Sequence, residues 1–181
     1  MGEPKDKDRL LAENFLDSSA LTVKLYPDPA LKIPAAPVEN FDDSLRVLTG
    51  KMRAVMDTFQ GVGLAAPQVG ISKRIAIVAH EDLFYVLINP RLVDQDGEQD
   101  GDEGCLSFPD IFVPVKRPMR VKVAAADESG REIVHEVDDF IARAFLHEMD
   151  HLDGTLLIDR VSPLKREMIR KKMKKRGRKG K

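Results

Sequence analysis

His147 and His151 stand four residues apart in a segment, 138–152, whose apolar residues Phe140, Ile141, Ala144, Phe145 and Met149 recur at helical spacing. Four residues is about one helical turn, roughly 6 Å along the axis, so both imidazoles leave the same face of the helix. The segment is largely apolar, which puts the histidines on or beside a buried surface, where imidazoles need partners. One metal ion would satisfy both. Glu148 lies beside that face, where a carboxylate can take a proton from water activated by Zn²⁺ or Fe²⁺ and pass it to a leaving amine. The segment therefore predicts a centrally packed helix, capped by Asp138 or Asp139 and ended by Gly154, and points to metal-assisted hydrolysis.

The rest of the chain supplies walls for such a helix. Residues 42–59 place Leu45, Leu48, Met52, Val55, Met56 and Phe59 at three- and four-residue spacing behind Asp42, Asp43 and Ser44, predicting an amphipathic helix. Strand-like runs cover 73–79, 84–89, 119–126 and 131–137, the last two separated by the turn signal Asp127-Glu128-Ser129-Gly130. Residues 94–104, acidic and glycine-containing, read as a loop, and 155–158 as a short strand. Ser162-Pro163 opens a last helix with proline in its first turn, where a missing N–H costs nothing. Short strands joined mostly by turns predict an α+β fold of antiparallel or mixed sheets around the central helix, with a helix near the N-terminus and another at the C-terminus.

Charge is unevenly distributed. Residues 165–181 hold 11 Lys and Arg against the single acid Glu167, leaving 18 basic and 29 acidic residues before them. Such a run suits a polyanion such as RNA, or is a solvated helix end. The apolar runs are too short to span a bilayer, and residues 1–20 lack the uninterrupted apolar stretch of a signal peptide, so the cytoplasm is the expected location.

Two histidines hold a catalytic metal weakly, and a third protein ligand is required. No histidine follows His151, and Glu167 lies in the basic run. Upstream the candidates are His80, His135 and Cys105. Cys105, the only cysteine, sits in Glu103-Gly104-Cys105-Leu106-Ser107-Phe108-Pro109, between a glycine-containing stretch and an apolar one.

Three motifs, in order, give the chain a specific likeness. Gly61-Val62-Gly63-Leu64-Ala65-Ala66-Pro67-Gln68, Glu103-Gly104-Cys105-Leu106-Ser107 and His147-Glu148-Met149-Asp150-His151 resemble the GxGLAAxQ, EGCLS and HExxH motifs of the peptide deformylases. These enzymes remove the formyl group from the N-terminal methionine of new polypeptides. The likeness runs from about Leu21 to Lys165. It implies an extension over 1–20, a catalytic domain over 21–164 and a basic helix or tail over 165–181. It further implies metal ligands Cys105, His147 and His151, Glu148 as general base and then acid, and an oxyanion hole from the Gln68 side chain and the Leu106 backbone N–H. Val62, Gly63, Gly104, Phe140 and Ala144 would line the substrate site, although plain core packing accounts equally for Val62, Phe140 and Ala144. Arg143 is an unexpected neighbour for an apolar pocket. Glu103, held by Arg117, would fix the Cys105 loop.

The resemblance also implies one divalent metal per chain, Fe²⁺ by preference, with Zn²⁺, Ni²⁺ or Co²⁺ able to substitute. Its implied partners are N-formylmethionyl nascent chains and, through the basic run 165–181, the ribosome and its RNA. Two other readings fit parts of the sequence: a zincin-type endopeptidase, which would not need Cys105, and an RNA-binding protein with a structural metal or none.

Overall fold

The computed structural model describes residues 21–179, so the extension expected over residues 1–20 lies outside it. Within these residues, seven strands and three α-helices follow one another as α1 (Asp43–Thr58), β1 (Gly63–Ala65), β2 (Ile75–His80), β3 (Leu83–Asp96), β4 (Gln99–Cys105), β5 (Phe108–Arg117), β6 (Arg120–Ala126), β7 (Glu132–Asp138), α2 (Asp139–Leu152) and α3 (Pro163–Lys179). The α+β class holds. Five strands form one sheet in the order β1-β2-β3-β6-β7, and β4 and β5 form a separate two-stranded ribbon. Every strand pair is antiparallel, and the single parallel feature among the described residues is the isolated bridge Ala36–Lys73.

The alternation of side chains along β2 organises the core. Ile75 and Ile77 face α1, where Leu45, Leu48, Met52 and Met56 close one cluster. Ala76 and Val78 face α2, where Ala142, Phe145, Met149 and Leu152 close another with Leu87, Val121 and Val123. A strand buried on both faces reads as an unbroken apolar run, which is why this one was recognisable. The ribbon has its own core: Phe108, Ile111, Val113 and Val115 of β5 pack with Leu31, Leu156, Leu157, Ile158 and, from α3, Ile169 and Met173.

Two local expectations are corrected. Residues 94–104 are not a loop but the end of β3 and nearly all of β4. Their glycines and acids carry little strand propensity, yet β4 pairs with β5 in register from Gln99–Arg117 to Gly104–Phe112, and Arg143 of α2 donates to the Gln99 and Gly101 carbonyls. Tertiary hydrogen bonds override propensity here. Residues 155–158 are not a strand, because a 3-10 turn at Leu157–Asp159 buries Leu156, Leu157 and Ile158 in succession, which alternation cannot do.

Gly154 ends α2 as expected. Its φ is +70°, and a Cβ there would come within 2.6 Å of the Lys32 carbonyl oxygen. Gly154→Ala combines left-handed strain with a backbone clash, and a loss of about 2 kcal/mol is expected, read as a lower urea midpoint with unchanged slope.

Candidate active site

α2 presents three chemical side chains from one buried face: His147, Glu148 and His151 are each less than a tenth exposed. The ribbon delivers the fourth. A register shift between Gly104 and Cys105 turns the end of β4 toward α2, and Cys105 Sγ comes to 3.2 Å from His151 Nε2. One ligand atom from each of Cys105, His147 and His151 lies within 4.8 Å of the others, a spacing that one ion can bridge. Soft sulfur with two imidazoles is a donor set suited to Zn²⁺ or Fe²⁺. The two other histidines are elsewhere: His80 packs on Phe140, and His135 lies edge-on to Tyr85 and Phe145. Glu167 is exposed and pairs with Lys171.

Glu103 fixes this arrangement from behind. Its Oε1 accepts from Arg117 Nε at 2.8 Å and Arg143 Nη1 at 3.0 Å. Its Oε2 lies 2.9 Å from His147 Nδ1 and accepts from Arg117 Nη2 at 3.0 Å. The bond to Nδ1 orients the ring and leaves its Nε2 for the cluster, the usual way a carboxylate prepares a ligating histidine. Arg117 continues through Asp150, 2.8 Å away, to Arg160. Burial alone would raise the Glu103 carboxyl, but the hydrogen bonds from His147 and Arg117, with their charges, outweigh it and lower it to about 2. The unexpected Arg143 is explained: its guanidinium serves Glu103 and strand carbonyls.

The buried imidazoles diverge. Burial opposes charge on both, but on His147 the bonds to Cys105 and Glu103 prevail and favour the cation, whereas His151 is pushed further toward neutrality by His147 and Arg117. Burial raises Glu148 to about 7, although the positive charge of His147 pulls the other way. Glu148 Oε2 has no hydrogen-bond partner among the described residues and borders the cleft. Gly63 makes room for this carboxylate, since a Cβ there would meet Glu148 Oε1 at 2.3 Å.

Gln68, 1% exposed, sits in the 3-10 turn Ala66–Val69. Its Oε1 accepts from the Ala65 N–H at 2.8 Å, which aims Nε2 at Cys105 Sγ, 3.5 Å away, and Ser107 Oγ, 3.3 Å away. The cleft above these groups has a volume of about 840 Å³. Val62, Gly63, Gln68, Glu103, Gly104 and Leu106 line it from β1, β4 and the segments beside them, and Phe140, Ala144, His147 and Glu148 from α2. Of the residues singled out in the sequence, His151 and Arg117 stand behind its wall. Sequence reasoning missed Phe112 and Asp110 of β5, and Arg176 of α3, which also border it. None belongs to a motif, although Phe112 follows the cysteine motif closely.

An antiparallel α+β fold with a Cys/His/His cluster beside a buried glutamate defines a metal-dependent hydrolase. A sequence model of the polypeptide deformylase family matches residues 20–167, and the chain belongs to that family. It is 45% identical over 159 residues to a peptide deformylase of Thermodesulfovibrio yellowstonii, covering 85% of this chain and 96% of that one. Against a Thermotoga sp. peptide deformylase it is 43% identical over 152 residues, covering 83% and 93%. The crystal structure of a Legionella pneumophila peptide deformylase superposes with a TM-score of 0.83 at 38% identity, covering 88% of this chain and 96% of that one. That of an Ehrlichia chaffeensis peptide deformylase in complex with actinonin gives 0.83 at 36% identity, covering 87% and 98%. The chain is accordingly a metal-dependent enzyme that removes the formyl group from nascent polypeptides.

Arg117→Met leaves Glu103 short of two donors inside the protein. A loss of about 3 kcal/mol of stability and a fall of about tenfold or more in metal affinity are expected, measured by urea unfolding and by metal content after dialysis. Because the folded Glu103 value lies below the ordinary 4.5, its stabilisation is complete above that pH and lost as the pH falls toward 2. Glu103→Gln should therefore flatten that acid limb of the stability curve.

Proposed function

We propose that Cys105, His147 and His151 hold one Fe²⁺, replaceable by Zn²⁺, Ni²⁺ or Co²⁺, and that Glu148 moves the protons of deformylation. The observation that carries this is the convergence of the three ligand atoms beside the buried, partnerless Glu148 oxygen at the floor of the cleft. A divalent ion supplies Lewis acidity, which makes water nucleophilic at neutral pH. Glu148 accepts a proton from the water whose oxygen attacks the formyl carbon. It returns that proton to the amine nitrogen as the carbon–nitrogen bond breaks, leaving formate and a free N-terminus. The carbonyl oxygen gains charge during attack, and Gln68 Nε2 and the Leu106 N–H are the donors for it. Thiolate ligation of Fe²⁺ would make the enzyme sensitive to oxygen.

The substrate enters as a strand. β1 ends the five-stranded sheet and β4 ends the ribbon, so among the described residues each has a bonding edge without a partner strand, and residues of both edges line the cleft. An extended peptide between them uses backbone bonds, which tolerate many sequences. The methionine side chain then lies toward α2, against Val62, Phe140 and Ala144.

Residues 21–164 form the catalytic unit in this reading, with residues 1–20 as an extension. Residues 165–181 form the element that docks on ribosomal RNA. Ile169 and Met173 anchor α3 to the body, leaving Lys171, Lys174 and Lys175 exposed. The enzyme then works in the cytoplasm, beside the ribosomes that make its substrate; among the described residues no helix is long and apolar enough to cross a membrane.

Anaerobically purified protein should release formate from formyl-Met-Ala-Ser, and Glu148→Ala should abolish it; silence with iron, nickel and cobalt loaded in turn would sink the assignment. Gln68→Ala should cost about 3 kcal/mol of transition-state stabilisation, seen mainly in kcat. Cosedimentation with ribosomes should weaken steeply with salt, and replacing Lys171, Lys174 and Lys175 by glutamate should weaken it at constant salt while formate release persists.

A further inference from the structure

Phe112 is the least covered aromatic ring around the cleft, 69% exposed, and it borders the substrate channel rather than an outer surface alone. On β5 it stands opposite Gly104 of β4. Its ring is folded over that glycine: a Cβ built on Gly104 would meet ring carbons at 2.7 and 3.1 Å. The aromatic thus occupies the side-chain space that Gly104 leaves empty, a cross-strand arrangement that covers a bare stretch of backbone. It brings the ring toward the free edge of β4.

Glu103 points inward to His147, so its neighbours Asp102 and Gly104 point outward. Phe140 and Ala144 lie on the inward side, on α2. In an extended peptide paired along β4, successive side chains take opposite faces. With methionine directed inward, the residue after it is directed outward, to the face that Gly104 presents. Glycine contributes no side chain, and the first side chain met across the strands is the ring of Phe112.

We propose that Phe112 is a specificity-determining residue that favours an apolar side chain at the position after formyl-methionine. The inference rests on the strand-like substrate binding described above. Leucine and asparagine are close in size and differ in polarity, which makes them the appropriate pair. Metal-loaded enzyme should prefer formyl-Met-Leu-Ser to formyl-Met-Asn-Ser by about fivefold in kcat/KM, the scale of one good cross-strand contact. The preference should appear in KM, since the contact is equal in ground and transition states.

Phe112→Ser should bring the ratio within about twofold, and Phe112→Leu should keep most of it. Taken within one preparation, the ratio is independent of how much protein is folded or metal-loaded. An equal ratio in wild type and Phe112→Ser, or no preference in wild type, removes Phe112 from this role while deformylation stands. Failure of the loaded wild-type enzyme to turn over either peptide overturns this inference together with the reading beneath it.

Discussion

A buried carboxylate with four hydrogen bonds to three side chains holds the two halves of the site together. Glu103 is 4% exposed, and an isolated charge at that depth would cost several kcal/mol. Two guanidinium groups and one imidazole repay that cost through short, well-directed bonds. The arrangement fixes more than a charge. Arg117 belongs to the ribbon, Arg143 and His147 to α2, and Glu103 itself lies two residues before Cys105. Any movement of the ribbon against the helix strains these bonds, so the carboxylate helps to set the distance between sulfur and imidazoles.

Glycine has a matching part in this geometry. Gly63 lets the β1 backbone approach the Glu148 carboxylate, and Gly104 lets the Phe112 ring come close to β4. Both positions are defined by what a methyl group would strike rather than by an unusual dihedral. The cleft is shaped as much by side chains left out as by those present.

Strand β2 was legible because both its faces are buried and its apolar run is unbroken, and helices α1 and α2 because each carries its periodicity within a short window. The histidine pair was legible for the same reason, four residues being one turn. Strand β4 was not: its glycines and acids speak for a loop, and what extends it is pairing with β5 together with bonds from Arg143, some forty residues away. Arg143 was itself misleading, since a charge facing an apolar pocket is improbable and its real partners were invisible along the chain. Cys105 needed the family resemblance to be chosen over His80 and His135, because nothing local says which of the three the fold brings to α2. Phe112 left no trace, because an exposed aromatic in an unrecognised strand breaks no rule of periodicity.

The separate hydrophobic clusters give the cluster of Cys105, His147 and His151 a mechanical meaning. His147 and His151 ride on a helix rooted in the core beneath the five-stranded sheet, whereas Cys105 comes from a ribbon rooted in the separate core it shares with α3. An ion gripped by all three would be a cross-link between two independently packed bodies, closing a loop of some forty residues much as a disulfide does. Loss of the ion then removes a fastening as well as a reagent. Catalytic competence and resistance to the parting of the two cores would decline together, through the same three bonds.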